Sequence, residues 1–286
     1  MLQLGIDIGG TSIKLAAIEN GRTLWTSQSA FYRRPTTAQL IDALRNTAKD
    51  QLTHADCIGL CVPGIYDAQR RAITLSVNVP GLMGIGLDDL LSQALGNKIP
   101  KPKIVNDAIA TATDLVTTRN LQGRTIAIAL GTGVGMGVLD DGVPLEVEGE
   151  SPGHIGQVDV SLDENPPVGP DGGAGSLEAY IGVAALTDRY GDVATFLRDT
   201  KIDDDPIRAL VRAIRICHGI YRPDHILLAG GIGVRLHSLI SEIKRACDRN
   251  LTKIAKGNWT LSAGEHDFHA ALGAARLAAC GLATHE

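Results

Sequence analysis

Aromatic residues are scarce: Phe, Trp and Tyr make up 3% of the chain. Base stacking on aromatic platforms therefore has little to work with. No basic block compensates. The 27 Lys and Arg are outnumbered by 32 Asp and Glu, for a net charge of −5. Nucleic acid is thus a poor candidate partner. No uninterrupted apolar run approaches the ~18 residues of a membrane span, so no membrane partner is expected. The chain opens directly on strand-like residues, Leu2 to Asp7, without a charged leader and cleavage site. That reads against secretion and for the cytoplasm. Cysteines are few and none forms a C-x-x-C pair: Cys57, Cys61, Cys217, Cys247 and Cys280. The odd count suits buried thiols in a reducing compartment, not a disulfide framework or zinc knuckle.

Glycine, by contrast, is abundant, at 33 of 286 residues. A hydrophobic content of 44% supports a real core, and the length suits two modest domains or one large one. The most telling glycines follow an apolar run, Ile126 to Leu130: Gly131-Thr132-Gly133-Val134-Gly135-Met136-Gly137. A second apolar run then ends at Asp141-Gly142, a strong hairpin signal. Glycine strips the turn of side chains, so backbone N–H groups can approach an anion. No Gly-Lys-Ser/Thr follows, so this is not a P-loop. A strand follows where the dinucleotide fingerprint needs a helix. A β-turn without a ligand is the plain alternative.

A second copy weighs against that alternative. Leu4 to Gly21 has the same layout, with Thr11 corresponding to Thr132. Each Thr has Gly just before it and a turn Gly ten residues on: Gly10 and Gly21, Gly131 and Gly142. A strand, Gly-Thr turn, strand and Asx-Gly unit therefore occurs twice.

Around these hairpins the pattern alternates strands and helices. It predicts a strand over Leu24–Phe31, a helix over Thr36–Leu52, and a buried strand at Cys57–Val62. An extended segment is expected at Ile73–Val79 and a helix at Leu87–Leu95. A brief strand, Ile104-Val105, runs through Asn106-Asp107 into a helix over Ala108–Val116. Glu146–Ser176 is rich in glycine and proline, without periodicity, and such long stretches are often functional. Helices follow at Leu177–Tyr190 and Pro206–Tyr221, then a strand at Ile226–Ala229. Gly230-Gly231 form a third glycine turn. Helices over Val234–Ala255 and Phe268–Leu282 close the chain. The whole reads as mixed α/β with internal duplication and a ligand cleft between the halves.

These residues resemble the ROK family of sugar kinases, within the actin-like ATPase superfamily. Asp7-Ile8-Gly9-Gly10-Thr11 is similar to that family's first phosphate motif and Gly131–Gly137 to its second. Val105-Asn106-Asp107-Ala108 resembles the segment bearing the catalytic aspartate, and Ser76–Gly81 the sugar-contacting Asn segment. Leu228–Ile232 resembles the adenosine-side loop and Ala270–Ala275 the terminal helix. The six occur in the family's order.

The resemblance implies two actin-like (ribonuclease H-like) α/β domains with duplicated hairpin phosphate loops. The smaller would be 1–107, joined by the terminal helix at about 270–286, and the larger 108–269. ATP and Mg²⁺ are the implied cofactors, a small-molecule sugar and the nucleotide the implied partners, and a homodimer is compatible with it. One departure bears on substrate. The family usually carries Gly-Glu-x-Gly-His, but here Gly153-His154-Ile155-Gly156-Gln157 stands in its place. The zinc-binding cysteines common in the family are also missing from Pro166–Glu178. A Cys₃His site cannot form without its ligands, so no structural zinc is expected.

Phosphoryl transfer to an alcohol is chiefly positioning and charge stabilisation. Asp107 is the expected general base, against the plain alternative of a helix cap. Asp7 lies in an apolar strand, where an unpaired carboxylate is costly. It is the expected Mg²⁺ partner, acting through water. Gly9, Gly10, Thr11, Gly131, Thr132, Gly133, Gly230 and Gly231 are the expected nucleotide and phosphate contacts. Lys14 either pairs with a phosphate or is a solvated strand residue. Asn78, Asn106, Asp107, His154 and Gln157 are the expected sugar contacts. With His for Glu and Gln for His, the pocket loses a negative charge.

Glucokinase-like phosphorylation of a hexose is the leading expectation. A kinase for a non-glucose or substituted sugar and a silent sugar sensor are the alternatives. Sensors of this type carry an N-terminal helix-turn-helix, for which a strand starting at Leu2 leaves no room. A chaperone-like ATPase would be expected to carry large insertions beyond this length.

Overall fold

The computed structural model of the protein describes residues 1–48, 51–52, 54–147, 153–169, 172–255 and 257–279. Met1–Asp114 and the segment from Ala270 form one compact unit, and Leu115–His269 form the other. The first contains β1 (Leu2–Ile8), β2 (Ile13–Glu19), β3 (Arg22–Gln28), α1 (Thr37–Ala48), β4 (Cys57–Cys61), β5 (Ile65–Asp67), β6 (Ala72–Leu75), α2 (Leu87–Leu95) and β7 (Pro102–Val105). The boundary falls within α3 (Asp107–Arg119). The second unit contains β8 (Arg124–Leu130), β9 (Val134–Asp140), β10 (Val143–Pro144), α4 (Leu177–Ile181), α5 (Val183–Tyr190), α6 (Val193–Asp199) and α7 (Asp205–Tyr221). It continues with β11 (His225–Ala229), the single turn α8 (Gly230–Gly233), α9 (Ile240–Asn250) and β12 (Thr260–Ala263). The last helix, α10 (His269–Ala279), returns the chain to the first unit.

Each unit has a five-stranded sheet, and the two share one topology. The orders are β3-β2-β1-β4-β7 and β10-β9-β8-β11-β12. In both, a meander of three antiparallel strands continues into two parallel ones. The Asx-Gly turns have the form their sequences predict. Asn20 and Gly21 have φ of 51° and 78°, and Asp141 and Gly142 have 47° and 82°. Positive φ at both central residues is what a type I′ hairpin turn needs. The glycine turns, however, are not equal in length. Gly9–Ser12 bridges the pair Ile8 and Ile13, whereas Gly131–Gly133 bridges Leu130 and Val134. The second hairpin is therefore one residue tighter.

The first core is built on the β1–β2 hairpin. Leu4, Ile6, Ile8, Ile13 and Leu15 are buried with Leu40 and Leu44 of α1 and Leu87, Leu90 and Leu91 of α2. Each such side chain contributes about 1.5–3 kcal/mol by leaving water. The other side of this sheet is shaped by missing side chains. Gly5 and Gly59 are register partners on β1 and β4. A Cβ on Gly5 would lie 1.7 Å from the Ala271 carbonyl oxygen, and one on Gly59 2.0 Å from that of Ala274. Helix α10 thus presses its backbone onto the sheet. Its Gly273 in turn admits α3, since a Cβ there would lie 1.7 Å from the Ala110 carbonyl oxygen. Arg276 of α10 also pairs with buried Asp114 of α3, Nε to Oδ1 at 2.8 Å. These contacts hold the helix that begins at Asp107.

Two expected elements differ in kind. Leu177–Tyr190 is two helices, because Gly182 leaves the helical region (ψ 155°) and sits against the Glu178 and Thr132 carbonyls. The Val234–Ala255 helix is a 3₁₀ segment over Val234–Leu239 followed by α9, which ends at Asn250. Helix α6 and strand β12 are short elements that periodicity did not reveal. Parts of the expected Thr36–Leu52 and Phe268–Leu282 helices lie outside the described residues, as do 148–152 and 170–171 of the glycine- and proline-rich stretch.

Candidate active site

In the first unit Asp7, the Gly9–Thr11 turn and Asn106-Asp107 lie where β1, β4 and β7 end. These strands are parallel, and Asp7, Cys61 and Val105 stand side by side in register. Ligands of open α/β sheets bind at such carboxyl ends. Asp7 faces Lys14 across the hairpin, Oδ2 to Nζ at 4.0 Å, with Asp7 only 13% exposed. Burial pushes the Asp7 carboxyl up to about 6, Lys14 pulls it partly back, and the Asp107 charge raises it again. The same two carboxylates, with burial, push the Cys61 thiol well above its ordinary value. Cys57, Cys61, Cys217 and Cys247 are buried free thiols.

Asp7 is thus a buried carboxylate with a distant cationic partner, which fits a divalent cation held partly by nucleotide phosphates. Among the described residues no three His, Cys, Asp or Glu side chains are grouped to hold a metal ion.

A stability prediction follows for metal-free protein. The folded state takes up the Asp7 proton at higher pH than the unfolded chain does. Stability from this group is therefore fully present below pH 3.8 and is lost as pH rises through about 6. The loss at neutral pH is about 3 kcal/mol. Asp7→Asn, in EDTA, should gain about 1–3 kcal/mol over wild type at pH 7 and almost nothing at pH 4. Urea unfolding at both pH values checks this; an equal gap at the two would refute it.

The start of α3 assigns the capping role. Asn106 Oδ1 accepts the N–H groups of Ala108 and Ile109, both at 3.0 Å, and its carbonyl accepts the Ala110 N–H. Asn106 is therefore the cap, and Asp107 is the first helical residue. Asp107 is exposed, and its Oδ1 accepts the Ala108 N–H at 2.8 Å. Asn78 is also exposed, ahead of the one-turn helix Pro80–Leu82.

The first glycine turn is tied inward. Tyr32 donates its hydroxyl to the Gly9 carbonyl at 2.7 Å and its backbone N–H to the Thr11 carbonyl at 2.9 Å. Burial and the Asp7 charge push the Tyr32 phenol up, so it stays a donor. Sequence reasoning assigned Tyr32 no role, and only the turn's geometry reveals one.

In the second unit two glycine turns come together. Gly230 has φ 74°, and a Cβ there would lie 2.5 Å from the Leu130 carbonyl oxygen, at the start of Gly131–Gly133. Gly131 bonds its N–H to the Gly133 carbonyl, and Arg235 bonds the Gly231 carbonyl. Glu178, also without a sequence-assigned role, lies against this turn. Its Oε2 accepts the Val134 N–H at 3.0 Å and stands 2.9 Å from where a Gly133 Cβ would be. Glycine at 133 makes room for that carboxylate.

His154 and Gln157 are exposed at the two ends of one turn, with the Gln157 N–H bonded to the His154 carbonyl. The following loop is held by backbone pairing. Asp159 bridges Ser176 and Val168 bridges Ala174. Val160 and Gly175 bond Gly175 and Pro167 carbonyls respectively, and Tyr180 Oη accepts the Leu162 N–H.

At the other end of this sheet an open groove of about 680 Å³ is lined by His225, Lys244, Asp248 and Trp259, among others. Its polar groups bond one another: Lys244 and Trp259 to Asp248, and His225 to Thr260 and Gln122.

The repeated sheet with its glycine turns is the actin-like α/β plan, and comparison with solved structures agrees. A ROK family glucokinase from Streptomyces griseus, in complex with glucose and AMPPNP, superposes with a TM-score of 0.75 at 20% identity, covering 98% of this chain and 100% of that one. The ROK family model matches residues 3–280, and the chain belongs to the ROK family. An N-acetylmannosamine kinase of Vibrio cholerae is 31% identical over 165 residues. That match spans 57% of this chain and 56%, or about half, of the relative's length. An N-acetyl-D-glucosamine kinase of Escherichia coli is 25% identical over 88% of this chain and 91% of its own. No described helix is long and apolar enough to cross a membrane.

Proposed function

We propose that the protein is a carbohydrate kinase that transfers the γ-phosphoryl group of ATP to a sugar hydroxyl. The observation that carries this reading is Asp107. It stands at the carboxyl end of β7 with Asn106 doing the capping beside it. Its carboxylate accepts the proton of the attacking hydroxyl as the new bond forms. The Asn106 amide nitrogen and Asn78 orient neighbouring hydroxyls. Backbone N–H groups of the glycine turns, with Thr11, Thr132 and Lys14, receive the phosphates, and Gly230-Gly231 pass close to the nucleoside. Mg²⁺, held through water at Asp7, would neutralise phosphate charge as the bond breaks. The reading belongs in the cytoplasm, where ATP is supplied.

Within this class we favour a substituted hexose over glucose. His154 and Gln157 replace an anionic acceptor with neutral donor–acceptor groups, and the curated relatives named above act on N-acetylated hexosamines. ADP release over glucose, mannose and their N-acetylamino analogues tests both levels. The double change His154→Glu with Gln157→His should shift the kcat/KM ratio toward glucose by about tenfold or more. A wild type that prefers glucose, with an unmoved rank order in the variant, rejects the assignment of these two residues. Thermal stabilisation by sugar without phosphoryl transfer from ATP or polyphosphate would favour the silent sensor.

A further inference from the structure

We infer that Tyr32 is a positioning residue for nucleotide phosphates, acting through the first glycine turn; this rests on reading Gly9–Ser12 as a phosphate turn. Three of the turn's four carbonyls are taken by donors of the same unit. The Gly9 carbonyl takes the Tyr32 hydroxyl, the Thr11 carbonyl the Tyr32 N–H, and the Ser12 carbonyl the Gly9 N–H at 3.0 Å. In a trans peptide the carbonyl of one residue and the N–H of the next point in opposite directions, and there are no cis bonds among the described residues. Holding the Gly9 and Thr11 carbonyls inward therefore turns the Gly10 and Ser12 N–H groups the other way. Neither has an acceptor among the described residues. The Ile13 N–H, next along, is spent on Ser29 Oγ at 2.9 Å.

The turn is one residue longer than its counterpart at Gly131–Gly133, and it needs an outside brace. The shorter turn closes on itself through Gly131 N–H and the Gly133 carbonyl. The longer one closes only between Gly9 and Ser12 and leaves the peptides between them to swing. Tyr32 pins two of these peptides at once, one by side chain and one by backbone. It reaches them from the segment after β3, whose end is itself tied to the hairpin by Gln28 Nε2 on Ser12 Oγ at 3.0 Å. A turn whose amides are already aimed loses less freedom when an anion binds.

Tyr32→Phe removes the hydroxyl and keeps the ring and the backbone bond. The affinity for a non-hydrolysable ATP analogue should fall about tenfold, and the KM for ATP should rise to match. The KM for sugar and the midpoint of thermal unfolding should stay near wild type. Gly10→Asp, which places a carboxylate in the turn, should abolish analogue binding. If Gly10→Asp still binds the analogue, the phosphate-turn reading itself fails. If Gly10→Asp loses binding but Tyr32→Phe binds as wild type does, the turn reading stands and the role of Tyr32 is refuted. A Tyr32→Phe protein that unfolds early, or raises both KM values together, makes the phenol a general structural support and also overturns the inference.

Discussion

Asp107→Asn should lower phosphoryl transfer by about 10²–10⁴-fold, the range associated with losing a positioned general base. Nucleotide binding should stay within about twofold, because the substitution leaves both glycine turns intact. Stability should change little as well. The cap of α3 belongs to Asn106, whose side chain holds two N–H groups, and the Ala108 N–H that Asp107 also accepts is one of them. Asn106→Ala provides the contrast. It should cost about 0.5–2 kcal/mol of stability by uncapping the helix. Steady-state ADP release and urea unfolding on both variants separate the roles. Turnover within about tenfold of wild type in Asp107→Asn would reduce that residue to a helix-start carboxylate.

The second large effect is on folding. Gly273→Ala adds one methyl group and should cost about 3 kcal/mol or more. The new Cβ would lie 1.7 Å from the backbone oxygen of Ala110, which cannot yield without moving α3. Gly219→Ala is the same change in another helix, at an exposed site where a Cβ meets nothing within 4 Å. It should be neutral or stabilise by up to about 1 kcal/mol, as glycine is the poorer helix former. The pair should therefore move denaturation midpoints in opposite directions. Because α3 begins at Asp107, Gly273→Ala should also reduce turnover in whatever fraction still folds. Equal effects of the two substitutions would remove the close packing of α10 on α3 from the account.

Local chemistry is what made much of this protein legible in its sequence. Asn20-Gly21 and Asp141-Gly142 specify type I′ turns because both central residues must take positive φ, and few residue pairs do so readily. Apolar runs flanking Gly-Thr turns specify hairpins, and their recurrence pointed to an internal duplication; the shared strand order of the two sheets is seen only in the structure. Asp7 stood out because a carboxylate in an apolar strand has to be accounted for. The tertiary structure decided everything that depends on a distant neighbour. Asn106 and Asp107 are adjacent and both suited to capping, and only the path of the chain from β7 into α3 gives the cap to Asn106. Gly182 splits a helical pattern because Glu178 and Thr132 carbonyls crowd it. Tyr32 and Glu178 carry no motif, since each acts on a turn far from it in sequence. Gly219 and Gly273 are both glycines in the interior of a helix. What separates them is one carbonyl oxygen on another helix, and packing between elements distant in sequence leaves no local trace.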